Sequence, residues 1–107
     1  MSRSTPERCA DILTAIDRCI RYRGFLNHQD ASFASMAYDA ILRNLGVIGE
    51  AVRALPEADK AAMPAVPWAA ITGLRNIVVH EYFRIDAEII ADILDNQLEP
   101  LAAALRE

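Results

Sequence analysis

The chain is short of cysteine, of aromatic side chains, of positive charge and of long apolar runs, and each shortage excludes something. Two cysteines, Cys9 and Cys19, in 107 residues leave no disulfide framework. On one helix they would lie about 15 Å apart along the axis, whereas a disulfide needs Cα atoms within about 7 Å. They are expected to be buried as small apolar side chains. A formal net charge of −4 does not advertise a nucleic-acid binder. No apolar run approaches the roughly 20 residues that span a bilayer. The opening Met1-Ser-Arg-Ser-Thr-Pro-Glu-Arg8 lacks the apolar centre of a signal peptide. The expected location is therefore cytoplasmic, with no membrane partner. Histidine and carboxylates do not recur at metal-ligand spacing, so neither a metal site nor a cofactor is expected. Strand alternation, internal repeats and low-complexity segments are also missing.

What is present is helical periodicity. A length of 107 residues and a hydrophobic content of 53% suit one compact domain over residues 1–107. Ser4-Thr-Pro-Glu7 reads as a helix start, with Thr5 as N-cap and Pro6 at the first helical position. Cys9, Ile12, Leu13, Ile16 and Ile20 continue at helical spacing, and the helix is expected to end near Gly24. A connection over 25–32 holds His28 and Asp30. The stripe Ala37, Ile41, Leu45, Ile48, Val52 and Leu55 predicts a second helix over 33–55. Gly46 and Gly49 lie inside it. Each costs up to about 1 kcal/mol relative to Ala, so close approach of another helix is the expected reason for both. Asn44 and Glu50 are expected at the rim of that stripe, with helix packing as the alternative.

Pro56, Pro64 and Pro67 mark residues 56–67 as a loop with room for one helical turn. Pro67-Trp68 opens a third helix whose apolar face runs through Trp68, Ile71, Leu74, Val78 and Tyr82. A short turn over Phe83-Arg84-Ile85 follows. Asp86 is placed to cap the last helix, and Pro100 is expected to kink it late. The fold class is all-α, an antiparallel bundle of four main helices. A core this small makes oligomerisation a plausible way to cover leftover apolar surface.

The stretch Gly73-Leu-Arg-Asn-Ile-Val-Val-His-Glu-Tyr-Phe-Arg-Ile-Asp86 concentrates the chemistry. Asn76 and His80 are four residues apart and share a face. Arg75 and Tyr82 are two turns apart and share another. Arg75 and His80 are five apart, about 140° around an ideal helix axis. They do not converge within one straight helix. Either the helix bends near His80, or another element or a second copy completes the site. Arg offers a planar fork for phosphate, and His moves protons near neutral pH. Arg75 with His80, oriented by Asn76, suits metal-free RNA cleavage through the neighbouring 2′-hydroxyl. By spacing alone, an Arg and a His five residues apart are more often structural or incidental.

The segments Arg8-Cys-Ala-Asp-Ile-Leu-Thr-Ala-Ile16, Arg43-Asn-Leu-Gly-Val-Ile-Gly-Glu-Ala51, Val66-Pro-Trp68 and Gly73-Leu-Arg-Asn-Ile-Val-Val-His-Glu-Tyr-Phe83 carry a resemblance over roughly residues 8–105. Together they resemble the HepT-like family of HEPN domains, the toxin halves of HEPN–MNT toxin–antitoxin pairs. Arg75, His80 and Tyr82 match that family's order of Arg, four residues, His, one residue, Tyr. The resemblance implies a dimeric all-α endoribonuclease, independent of metal, with Arg75 and His80 of two protomers lining one cleft. It further implies that Tyr82 receives AMP from a partner MNT-type nucleotidyltransferase, the antitoxin, which blocks RNA. The competing expectation is a non-catalytic dimeric module that binds a nucleotide or such a nucleotidyltransferase.

Overall fold

The computed structural model describes residues 3–80 and 84–106. The elements are α1 (Thr5–Arg23), α2 (Ala31–Arg53), the short α3 (Glu57–Ala61), α4 (Trp68–Thr72), α5 (Leu74–His80), α6 (Ala87–Ile93), a π-helical segment Leu94–Leu98, and α7 (Glu99–Leu105). No strand occurs among the described residues. These pieces form four helical columns: α1, α2, α4 with α5, and α6 through α7. None of their helices is long and apolar enough to cross a membrane.

Local chemistry sets the ends of the two long helices. Ser4, rather than Thr5, caps α1. Its hydroxyl accepts from the Glu7 N–H at 3.2 Å, and the Glu7 carboxylate accepts from the Ser4 N–H at 3.0 Å. This reciprocal box needs the partners three residues apart, a spacing that Ser4 and Glu7 have and Thr5 and Glu7 lack. Arg3 reaches back to Asp11 at 2.7 Å on the exposed face. The second helix begins at Ala31, two residues earlier than the apolar stripe indicates, because the Asp30 side chain accepts from Ser32 N–H and Phe33 N–H. His28 belongs to the same turn. Its Nδ1 accepts from the Asp30 N–H at 2.9 Å, and its ring stacks on Phe33 with centroids 4.5 Å apart.

The register of the columns shows their directions. Asp11, Thr14 and Arg18 of α1 share a surface cavity with Ala51, Val47 and Arg43 of α2. The Cys19 Sγ lies 3.9 Å from the Ile41 carbonyl oxygen, and the cavity residues lie farther than these two from the α1–α2 connection on both helices, so α1 and α2 run antiparallel. Tyr38 donates from its hydroxyl to the Ile85 carbonyl at 2.9 Å, and Gly49 lies against Ile71 and Arg75, so α4–α5 runs antiparallel to α2. Arg23 at the end of α1 pairs with Asp95 at 3.1 Å in the last column. The long α2 therefore touches both neighbours along its length and serves as the central scaffold.

The core lies between these columns. Ile12, Ile16, Ile41, Leu45, Ile48, Ile71, Leu74, Ile90, Leu94, Leu98 and Leu101 are all essentially inaccessible. Each buried aliphatic side chain of this size contributes about 1.5–3 kcal/mol through apolar burial. Cys19 is buried and Cys9 half-buried, both as free thiols. Burial pushes the Cys19 thiol up to about 12.

Three features depart from the expected pattern. Asn44 is buried, not at the rim, and donates to the Ala40 carbonyl at 2.8 Å. That bond to the preceding turn lets an amide sit among apolar neighbours with a donor satisfied. Only one of the two α2 glycines meets another helix. A Cβ on Gly49 would lie 3.1 Å from the Arg75 backbone nitrogen, whereas one on Gly46 would meet nothing within 4 Å. The third column is split at Gly73 into α4 and α5. Backbone bonds still bridge the split, from Gly73 N–H to the Ala69 carbonyl at 3.1 Å and from Ile77 N–H to the Gly73 carbonyl at 3.2 Å.

The last column is capped as expected, with Asp86 accepting from the Ile89 N–H at 3.0 Å. Pro100 has no N–H to give and its ring crowds the carbonyl four residues back. The turn before it, Leu94–Leu98, widens to π-helical bonding. The late irregularity expected from Pro100 thus takes the form of a π turn ahead of it.

Candidate functional site

Arg75, Asn76 and His80 all lie on α5, and all three are exposed. The helix buries Leu74 and half-buries Ile77 and Val78, so its opposite face carries Asn76, Val79 and His80. Val79 is 53% exposed, an apolar side chain that flanks the two polar ones. Tyr82 and the start of the expected Phe83-Arg84-Ile85 turn lie outside the described residues.

Arg75 sits at the edge of α5 that faces α2. Its backbone approaches Gly49, where only the missing side chain permits the contact. One residue on, Glu50 forms an ion pair through its Oε1 with the Arg75 Nε. Both side chains keep about half of their surface in solvent, at 51% and 54%. The carboxylate orients the guanidinium and neutralises part of its charge. An exposed pair of this kind is worth at most about 1 kcal/mol, so an arriving phosphate can compete for it. Glu50 was legible only as a polar residue beside an apolar stripe. Its link to Arg75 depends on how α2 and α5 are rotated against each other.

Asn76 and His80 are neighbours one turn apart, on the face that turns away from α2. Among the described residues no hydrogen bond joins them. Their relation is one of position, since water competes for both side chains on an exposed face. Among the described residues the irregularity of the third column lies at Gly73, before Arg75, and α5 is regular from Leu74 to His80. Within α5 the wide angle between Arg75 and His80 therefore stands. One chain brings Arg75 to Glu50 and Asn76 to His80, and leaves the two pairs on different sides of one short helix.

The structure explains how the motif is held. A seven-residue helix is marginal by itself, and α5 is stabilised by packing rather than by length. Leu74 anchors it in the core, Gly49 admits it close to α2, and Tyr38 holds the Ile85 carbonyl just past its end. Trp68 fixes the beginning of the column by donating from its indole N–H to the Met63 carbonyl at 2.9 Å. It packs against the core as a half-buried side chain.

Comparison with known proteins agrees with this architecture. A family model described as "Ribonuclease HepT-like" matches residues 12–107. A protein of Methanocaldococcus jannaschii named "Putative RNase MJ1380" is 36% identical over 76 residues, covering 71% of this chain and 70% of its own. Another from the same organism, "Putative RNase MJ0127", is 48% identical over 59 residues, covering 55% of this chain. That match spans about half, 49%, of the relative's length. "Probable ribonuclease HepT" of Thermococcus cleftensis is 28% identical over 90 residues, covering 84% of this chain and 82% of its own. No solved structure matches the chain. The helical bundle and the family match over residues 12–107 lead to one conclusion: this chain belongs to the HepT-like family of ribonucleases.

Proposed function

We propose that the chain is a toxin of the HEPN–MNT type, an endoribonuclease that acts as a homodimer and needs no metal. The observation that carries this reading is the display of Arg75 and His80 as exposed but diverging side chains of one short helix in a chain of the HepT-like family. Their divergence supports a composite site in which two copies of α5 face each other, so that an Arg75 meets the other copy's His80. His80 takes the proton from an RNA 2′-hydroxyl, whose oxygen attacks the adjacent phosphorus. Arg75 balances the charge of the phosphorane, and the 5′-oxygen leaves with a proton returned by an imidazolium. The products are a 2′,3′-cyclic phosphate and a free 5′-hydroxyl. Asn76, one turn before His80, supports the imidazole.

The same reading gives Tyr82 a regulatory role. A partner nucleotidyltransferase, the antitoxin, transfers AMP from ATP to its hydroxyl. The phenolic oxygen attacks the α-phosphorus and pyrophosphate leaves. On an ideal helix a spacing of two turns would set Tyr82 on the side of Arg75, where an added phosphate would occupy the guanidinium and repel RNA.

RNA cleavage by purified protein in EDTA tests the assignment. Arg75→Ala and His80→Ala are each expected to lose about 100-fold to 10,000-fold in rate. Equal cleavage by all three proteins would sink it. Intact mass after co-expression with the nucleotidyltransferase should rise by AMP units, and Tyr82→Phe should abolish the rise. The Arg75–Glu50 ion pair and the net charge of −4 favour a second reading, a non-catalytic dimeric module for a nucleotide or a nucleotidyltransferase. On that reading wild type never cuts RNA, and the alanine variants instead lose dimerisation in sizing experiments.

A further inference from the structure

A cleft of about 650 Å³ opens where α2 ends and α4 begins. That volume is within the roughly 300–1,000 Å³ of small-molecule sites. Arg53 of α2, Glu57 and Lys60 of α3, and Trp68 and Thr72 of α4 line it, with Pro64 and two alanines completing the wall. The cleft adjoins the motif along both helices. Thr72 precedes Arg75 by three residues, and Arg53 follows Glu50, the ion partner of Arg75, by three. Both steps are less than one helical turn, about 5.4 Å.

We propose that this cleft is a nucleotide subsite that takes a residue of single-stranded RNA flanking the phosphate held at Arg75. The inference rests on the ribonuclease reading and extends it to the substrate. Trp68 supplies the platform. Its indole N–H is already spent on Met63, which holds the ring in one orientation, and an indole face stacks on any base. Arg53 and Lys60 supply the phosphate contacts. The Lys60 side chain is only 11% exposed and therefore held, while its partner Glu57, with the ammonium at 3.0 Å, is 91% exposed and can swing away. Two cations against one carboxylate make the cleft locally positive on a chain of net charge −4. Single-stranded RNA fits this combination of fixed aromatic face and paired cations.

The chain contains one tryptophan, and it lines this cleft, so its emission provides a reporter there. The experiment titrates the His80→Ala protein, which leaves the oligonucleotide intact, with a single-stranded hexaribonucleotide. Saturable quenching of Trp68 emission is expected. Adding Arg53→Gln and Lys60→Gln should raise the Kd about tenfold and flatten the salt dependence by about 1.4 log units per log unit of salt, two contacts at about 0.7 each. In protein with His80 intact, the loss caused by Arg53→Gln should fall on KM rather than on kcat. Arg53 is exposed, so this single variant keeps the test open if the combined protein unfolds. Unchanged emission, or a Kd and salt slope unaffected by the substitutions, would overturn the subsite. RNA cleavage whose KM ignores the substitutions removes the subsite and leaves the ribonuclease standing. Saturable, Arg53-dependent quenching without any cleavage removes the ribonuclease and leaves a nucleotide-binding cleft.

Discussion

The two halves of the molecule solve the same packing problem differently. Residues up to Arg53 fold into two long uninterrupted helices, each with a side-chain cap and a continuous buried stripe. Beyond Arg53 the columns are assembled from pieces, α4 with α5 and α6 with a π turn and α7. The first half has side-chain caps at both helix starts and supplies the wall of a core that both halves share. The second half borrows stability from that wall, and it is the half that presents Arg75, Asn76 and His80. Packed on α2, the short α5 turns Leu74, Ile77 and Val78 inward and presents Arg75, Asn76 and His80 to solvent. The cost is dependence on a few contacts, Gly49 against Arg75 above all.

The comparison breaks first at the wall. Leu45 is buried in the middle of α2, and Leu45→Ala should cost about 2–5 kcal/mol in urea unfolding and take α5 with it. If the motif helix kept its protection from hydrogen exchange in that variant, the second half would not depend on the first.

A second probe is alkaline pH. The Cys19 thiol is raised from 9.0 to about 12 by burial, so its neutral form is favoured in the folded chain. Unfolded chains lose that proton above about pH 9, while the folded protein retains it. The stabilising term is fully present below pH 9 and is lost as pH rises from 9 towards 12, at up to about 1.4 kcal/mol per pH unit. Cys19→Ala should flatten the alkaline limb of a stability–pH curve. An unchanged limb would mean that α1 and α2 open enough to wet the thiol.

The glycines sharpen the contrast further. Gly46→Ala, with nothing within 4 Å of the new methyl, should stabilise by up to about 1 kcal/mol through helix propensity. Gly49→Ala puts a methyl 3.1 Å from the Arg75 backbone nitrogen and must push α5 outward. It should destabilise by about 1 kcal/mol or more and reduce RNA cleavage together with stability. Similar melting shifts for the two variants would remove Gly49 as the seat of the motif. The smallest effect is expected from Glu50→Gln. Its half-exposed pair with Arg75 should change stability by less than about 1 kcal/mol, with a larger relative effect on the salt dependence of RNA binding.

Particular residues mark how far the sequence could be read. The stripes from Ile12 to Val52 and from Ile89 to Leu105 contain the helical period in full, and Asp86 and Pro100 act where they stand. Ser4 displaced Thr5 as the cap because the partner three residues on decides the box. Asn44 read as rim and is buried, because its amide is satisfied by the carbonyl of its own preceding turn. Gly46 and Gly49 were indistinguishable by propensity, and only the neighbouring helix separates them.

By itself, the sequence determined the helices, the all-α class, the position of the Arg75–His80 motif and the angle that separates its members. Those properties follow from periodicity along one chain. Tertiary structure alone decided that Glu50 meets Arg75, that Gly49 rather than Gly46 is the contact, and that Trp68, Arg53 and Lys60 share a cleft beside the motif. Each of those depends on the rotation and register of one helix against another, which is set by the summed packing of many side chains rather than by any local spacing.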